Sequence, residues 1–150
     1  MKSKTDQVFD RLQAYLEPTI ANLVEQWNLE DPGLYLEIPR EWDRGYRDIL
    51  AGSRSYPAVL FIERSREQSD SYTTQYSLAI GFAFKGSDPR LIESQGNAWK
   101  DIWEDALTQD PHLGETCLDS HDLLIETDLA GGIFLVSCLI DLEVDRGGFI

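Results

Sequence analysis

Basic residues are scarce in this chain. Its 150 residues include 13 Lys and Arg against 27 Asp and Glu, which gives a formal net charge of −14 at pH 7. Nucleic acids and anionic membranes attract basic surfaces, so this charge excludes a general binder of either. Repulsion from DNA, or mimicry of it, is compatible with the same charge.

Cysteines and long apolar runs are also few. Cys117 and Cys138 are too few for a disulfide framework, and each is typical of a small buried thiol. No apolar run approaches the roughly 20 residues that span a bilayer, and the first residues lead into an amphipathic pattern rather than a signal peptide. We therefore expect a protein made and kept in a cytoplasm, with no membrane partner.

The residue patterns that carry enzyme chemistry are absent. There is no glycine-rich phosphate loop, no Walker A sequence and no Gly-x-Ser-x-Gly. The two histidines, His112 and His121, lie in an acidic loop whose spacing matches no zinc or EF-hand pattern. Potential ligands near them are Glu115, Cys117, Asp119 and Asp122. We interpret the loop as solvated and expect no enzyme, cofactor or metal; a small hydrolase built on residues 110–122 is a distant alternative.

The longest regular pattern in the chain runs from Tyr72 to Phe84. Large and small side chains alternate there, which predicts a pleated strand with one core-facing side. The even positions hold Tyr72, Thr74, Tyr76, Leu78, Ile80, Phe82 and Phe84. The odd positions hold Thr73, Gln75, Ser77, Ala79, Gly81 and Ala83. This second, small-residue face suits close approach by a neighbouring subunit or a lumen, or is simply open to water.

Two stretches have helical periodicity. Apolar residues recur every three or four positions from Thr5 to Trp27, with Pro18 predicting a kink or a division into two helices. Asp88 and Pro89 predict the start of a second helix that ends near Gln109. Its tryptophans at 99 and 103 are one turn apart, and we interpret them as packing on the sheet.

The remaining regular segments predict two hairpins. The first joins an apolar strand over residues 56–63 to the Tyr72–Phe84 strand through a polar turn at 64–71. The second joins residues 122–129 to 133–144 through Ala130-Gly131-Gly132. The sequence therefore predicts an α+β fold: a mainly antiparallel sheet of about four strands, with an N-terminal helix and one long helix packed on one face.

Length favours one domain over residues 1–150. We divide it into a helical segment at 1–28, an irregular connector at 29–56 and a sheet-plus-helix core at 57–150. Within the connector, Leu34–Ile38 is a candidate short edge strand. Residues 40–47 mix arginine with aromatic side chains, a composition found in interaction surfaces and also in solvated loops with anchored aromatics.

The charge is uneven along the chain. Arginines concentrate between Arg40 and Arg66, whereas residues 91–145 contain Lys100 as their only Lys or Arg. A head-to-tail contact between these regions of successive copies would be heterologous and could close into a ring. The candidate subunit-interface residues are Arg40, Arg44, Arg47, Arg64, Arg66, Thr73, Gln75 and Ser77.

In the order of its elements the chain resembles the tail terminator and tail completion proteins of tailed bacteriophages and related contractile particles. The resemblance covers the N-terminal amphipathic helix, the strand beginning Tyr56-Pro57-Ala58-Val59-Leu60, the long hairpin to Phe84, the helix from Pro89 and the closing hairpin through Asp141-Leu142-Glu143-Val144. The connector at 28–56 is longer than the family pattern, which leaves another neck or minor tail component open.

The resemblance implies a non-enzymatic virion protein assembled in the host cytoplasm. Such proteins form a ring, commonly hexameric, at the neck, where it terminates the tail tube and docks the head. The implied partners are further copies of the chain, the tail tube protein and a head-completion protein. DNA would pass through the lumen without specific binding, since an acidic wall repels phosphate. The alternative from another class is an acidic inhibitor or immunity-type binding protein, including a DNA mimic.

Overall fold

The computed structural model describes residues 2–44, 55–68, 72–86 and 88–145. These residues form two helices and one five-stranded mixed sheet, which confirms the α+β class and corrects the expected number of strands. In chain order the elements are α1 (Lys4–Glu30), β1 (Glu41–Arg44), β2 (Ala58–Gln68), β3 (Thr73–Lys85), α2 (Ile92–Thr108), β4 (Asp119–Ala130) and β5 (Ile133–Asp145).

The N-terminal helix is continuous through its proline. Ser3 caps α1 by accepting a hydrogen bond from the backbone N–H of Asp6 at 3.1 Å. Pro18 lies inside the helix on its exposed side. The predicted division into two helices is therefore wrong, because burial of the opposite stripe, which includes Leu12, Leu16 and Ile20, holds both halves against one core.

The connector contributes a strand, but not at the predicted position. Leu34–Ile38 is not a strand; Leu34 and Leu36 are buried, and Asn28 bonds both the N–H and the C=O of Leu36 at 2.8 and 2.9 Å. Those side-chain bonds take the place of ladder bonds. The fifth strand is instead β1, which pairs in parallel with β2.

The sheet order is β1-β2-β3-β5-β4, and every pair other than β1 with β2 is antiparallel. β2 continues to Gln68, so residues 64–68 of the predicted turn are strand, while 69–71 lie outside the described residues. Gly131 and Gly132 both adopt positive φ in the turn between β4 and β5, as the predicted Ala-Gly-Gly turn requires.

The second helix begins later than predicted. Asp88 accepts a hydrogen bond from the N–H of Arg90 at 3.0 Å within a turn, and α2 starts only at Ile92. The prediction that its tryptophans pack on the sheet is confirmed: the rings of Trp99 and Trp103 lie 4.2 and 5.7 Å from that of Phe82.

Both helices pack on the same side of the sheet, which we call the helix face. The even positions of β3 from Tyr76 to Phe84 and the even positions of β5 are buried there with Val59 and Phe61. The predicted core-facing side of the Tyr72–Phe84 strand is thus confirmed from Tyr76 onward and is wrong at its start, where Tyr72 precedes β3 and is 79% exposed. Cys117 and Cys138 are buried, as predicted.

Candidate subunit interface

The opposite side of the sheet, which we call the open face, carries no helix of the described residues. Strand register places the odd positions of β3 and β5 on it, together with the even positions of β4 from Leu124 onward. Most of these side chains on β3, β5 and β4 are half-buried or exposed, whereas the alternate residues on the helix face are buried along β5 and from Tyr76 onward in β3. The two sides of the sheet therefore differ in how much of their surface the described helices cover, although the same strands form both.

One apolar row crosses the open face. Register pairs Ile62 with Ala79, Ala79 with Leu139, and Leu139 with Leu124. We call these four residues the central row. Leu124 is 50% exposed and the other three are half-buried, although Leu60, one row further along β2, is only 2% exposed. Apolar side chains thus run across all four long strands on this face, and the row ends in an exposed leucine at the sheet edge.

Acidic side chains border the central row. The two neighbouring rows contain Glu126 on one side and Asp141 on the other. The next rows out contain Asp128 on the first side and Glu143 with Asp119 on the second. Most of the acidic border lies on β4 and β5, which belong to the region with a single Lys. Negative charge at this rim favours a partner surface that carries Lys or Arg.

The structure divides the arginines of the predicted interface. Arg44 lies on the helix face, where its guanidinium donates to Asp10 at 2.6 Å and Gln13 at 3.0 Å. Arg66 lies over the Tyr76 ring at 6.0 Å and near Glu63 at 3.9 Å. Both side chains thus already have partners within the chain.

The other three arginines of the predicted interface differ in whether the structure describes them and in whether they form an ion pair. Arg40 pairs with Glu37 at 2.8 Å on the surface, and Arg47 lies outside the described residues. Arg64 is the extra residue of a bulge between Glu63 and Ser65 in β2. It is exposed and forms no ion pair with another described residue. Of the four predicted arginines that the structure describes, Arg64 is the one that forms no ion pair with another described residue.

The three small polar residues of the predicted interface share the open face. Thr73, Gln75 and Ser77 are half-buried and pair in register with Asp145, Glu143 and Asp141 of β5. Ser77 donates its hydroxyl to Asp141 at 2.7 Å. The predicted set is therefore not one patch, because Arg44 and Arg66 lie on the helix side and these three residues on the other.

A histidine and two aspartates converge at the acidic end of the open face. His121 faces Asp141 across β4 and β5, and its Nδ1 lies 3.1 Å from Asp122. The hydrogen bond with Asp122 raises the pKa of His121, which the charges of Asp141 and Asp119 reinforce. The sequence indicates His121 and Asp122 as members of the acidic loop but does not indicate Asp141 as their neighbour. The signal that could have identified Asp141 is its odd position in the alternating strand 133–144, on the side opposite the apolar residues.

The remaining members of that acidic loop do not join the cluster. His112 bonds the carbonyl of Leu118 through Nδ1 at 3.0 Å, and Asp110 accepts the N–H groups of His112 and Gly114. Those bonds lower the pKa of Asp110 and close a turn. Burial, reinforced by Asp119 and Asp110, raises the pKa of the Cys117 thiol to about 12, so it stays protonated at neutral pH.

A second apolar surface lies between the end of α1 and the connector. Leu29, Tyr35 and Ile38 are all exposed around a groove of about 910 Å³. Tyr35 adopts φ of 43°, a conformation uncommon outside glycine, which turns its ring away from the core. Sequence inspection missed this groove because its apolar residues follow neither helical nor strand periodicity.

No protein-family model and no curated protein matches the chain. Among the described residues, neither helix is both long and apolar enough to cross a membrane.

Proposed function

We propose that the protein is a structural virion component of the tail terminator or neck class, which forms a ring through its open sheet face. The observation that carries the proposal is the central row on a sheet face that no described helix covers. A structural subunit needs such a surface, whereas its opposite side must supply the core of the monomer. The element order and the net charge of −14 support the same class.

The open face is broad. β3 and β5 are each 13 residues long. At about 3.3 Å per residue and about 4.8 Å between strands, the outline of the four long strands is roughly 800 Å², about what one partner contributes to a standard interface. Ala58, Leu60 and Ala83 at one end of this face are already buried, so a neighbour would contact the remaining part. The small side chains at 73–83 lose little conformational entropy when a neighbour covers them.

The charges favour a head-to-tail arrangement. Two open faces stacked on each other would bring acidic rims together, and like charges at close range are unfavourable. A heterologous contact lets Arg64 of one copy approach the acidic rim on β4 and β5 of the next, and such contacts generate rings when the rotation closes. A ring with acidic surfaces towards its lumen would pass DNA without holding it.

The test is the assembly state of the purified protein at low salt. Light scattering should give a mass that is a multiple of the 17.1 kDa chain, and negative-stain microscopy should show rings with a central hole. Arg64→Glu should lower the mass by weakening the contact, whereas Lys100→Glu, a charge reversal on the exposed side of α2, should not. A wild-type protein that is monomeric at all concentrations would contradict the proposal.

One observation favours the alternative class. The exposed side of α2 carries Glu93, Asp101, Glu104 and Asp105, a dense acidic helix face of the kind that could occupy a cationic cleft. An acidic inhibitor would bind a nucleic-acid enzyme through this helix and remain a monomer or dimer. The mass measurement therefore separates the two classes.

A further inference from the structure

We propose that His121, Asp122 and Asp141 form a binding site for a divalent transition-metal ion, with Zn²⁺ as the ion we would test. The site lies at the acidic end of the open face, on the rim that the proposed ring brings near Arg64 of the next copy, and its three ligands all come from one chain. One donor atom from each of the three side chains lies within 4.8 Å of the others. An imidazole nitrogen with two carboxylate oxygens is a donor set that zinc accepts, with the remaining positions left to water.

A bulge in β4 makes this convergence possible. Neighbouring residues of a regular strand point to opposite faces, so His121 and Asp122 could not share one ligand there. The register shifts between His121 and Leu124: three steps along β4 correspond to two along β5, from Asp141 to Leu139. One extra residue of β4 therefore lies between these pairs, as in a β-bulge. Because Leu123 packs against the core, the extra residue is Asp122, which adopts φ of 56°.

The distances suit ligands of one ion. Bonds of about 2.1 Å in a tetrahedral site place donor atoms about 3.4 Å apart. The 3.1 Å between His121 Nδ1 and Asp122 Oδ2 is already close to that separation. An ion between them would replace the shared proton, and the neutral ring would then carry its proton on Nε2.

Asp141 is held in place by its neighbour on β3. The Ser77 hydroxyl donates to Asp141 Oδ1 at 2.7 Å, which orients the carboxylate and leaves Oδ2 for the ion. No Lys or Arg among the described residues forms an ion pair with Asp122 or Asp141. Within the described ranges, no Lys or Arg side chain therefore competes with a metal ion for these two carboxylates. The proposed metal site differs from the sequence-based interpretation of residues 110–122 as a solvated loop. The third ligand, Asp141, lies outside that loop, on β5.

The chain offers its own control, because it contains two histidines and only His121 faces a pair of carboxylates. Metal-stripped protein is titrated with ZnCl₂ by calorimetry, using the wild type, His121→Gln, Asp122→Asn, Asp141→Asn and His112→Gln. We expect one saturable site per chain in the wild type and in His112→Gln. The three ligand variants should bind at least tenfold more weakly, and Ser77→Ala, which only positions Asp141, should bind roughly tenfold more weakly.

A second measurement does not depend on the variants folding. In the NMR spectrum of the wild type, Zn²⁺ should shift the ring resonances of His121 and leave those of His112 unchanged, while millimolar Mg²⁺, a cation that prefers oxygen ligands, should shift neither. Absence of saturable one-to-one binding would overturn the proposal. So would an equal loss of binding in His112→Gln, or full binding in Asp141→Asn.

Discussion

The two faces of the sheet are built from the same strands and yet differ in almost every property. On the helix face, Ile140 and Phe82 are buried, and the Phe82 ring packs against Trp99 and Trp103 of α2. On the open face, Leu139 is half-buried and Leu124 is 50% exposed, with acidic residues around them. The helix face accounts for why the monomer folds. The open face carries the central row and an exposed Leu124, and these residues are the basis of the proposed assembly.

The largest expected difference between the faces is in monomer stability. Ile140→Ala removes a side chain that is 2% exposed and should lower the free energy of unfolding by about 2–5 kcal/mol. Leu139→Ala, the adjacent residue on the open face, should cost less than about 1 kcal/mol in the isolated chain, since its side chain remains partly in water. Urea unfolding at a protein concentration that keeps the chain monomeric measures both. Equal losses would show that the open face also contributes to the monomer core.

The second expected difference between the two faces is electrostatic, and its effect on the free energy of unfolding is smaller than that of Ile140→Ala. Hydrogen bonds from Lys2 and Arg44 lower the pKa of Asp10, and the Arg44 bond links β1 to α1 on the helix side. The stabilisation is present above the ordinary carboxyl pKa of 3.8 and is lost as the pH falls through the lowered value of the folded state. Because both partners are about one-third exposed, we expect roughly 0.5–1 kcal/mol.

The measurement is the free energy of unfolding between pH 7 and pH 2. Asp10→Asn should be less stable than the wild type at pH 7, and the difference should vanish at the acidic end of the range. Glu126→Gln, which removes an exposed carboxylate on the open face, should differ little from the wild type throughout. A difference for Asp10→Asn that grew on acidification would contradict the assigned sign.

Sequence patterns predicted the helix face well and the open face only in part. Period-two alternation in β3 and β5 predicts which side chains are buried, because one unbroken pattern determines one face. The fifth strand was not predicted, because Glu41–Arg44 is only four residues long and has no apolar alternation. Its residues are all half-buried. The start of α2 was misplaced because Asp88 and Pro89 have the composition of a cap and instead form the preceding turn.

The candidate interface was predicted less well for a physical reason. Clustering of arginines along the chain does not reveal which side chains find carboxylates inside the fold, as Arg44 does with Asp10. The bulges at Arg64 and Asp122 change which face later residues occupy, and a bulge leaves little trace in a polar sequence. The small residues at 73, 75 and 77 were placed together because no bulge interrupts β3.

The central claim is that the open face is the assembly surface, and two leucines of β4 test it directly. Leu124 lies on the open face and is 50% exposed, whereas Leu129 lies on the helix side of the same edge strand and is 51% exposed. Leu124→Glu and Leu129→Glu therefore make the same chemical change at equal exposure on opposite faces. Light scattering at low salt should show that Leu124→Glu reduces the assembly to monomers while Leu129→Glu assembles like the wild type. Wild-type assembly by Leu124→Glu, or equal disruption by both variants, would contradict the claim.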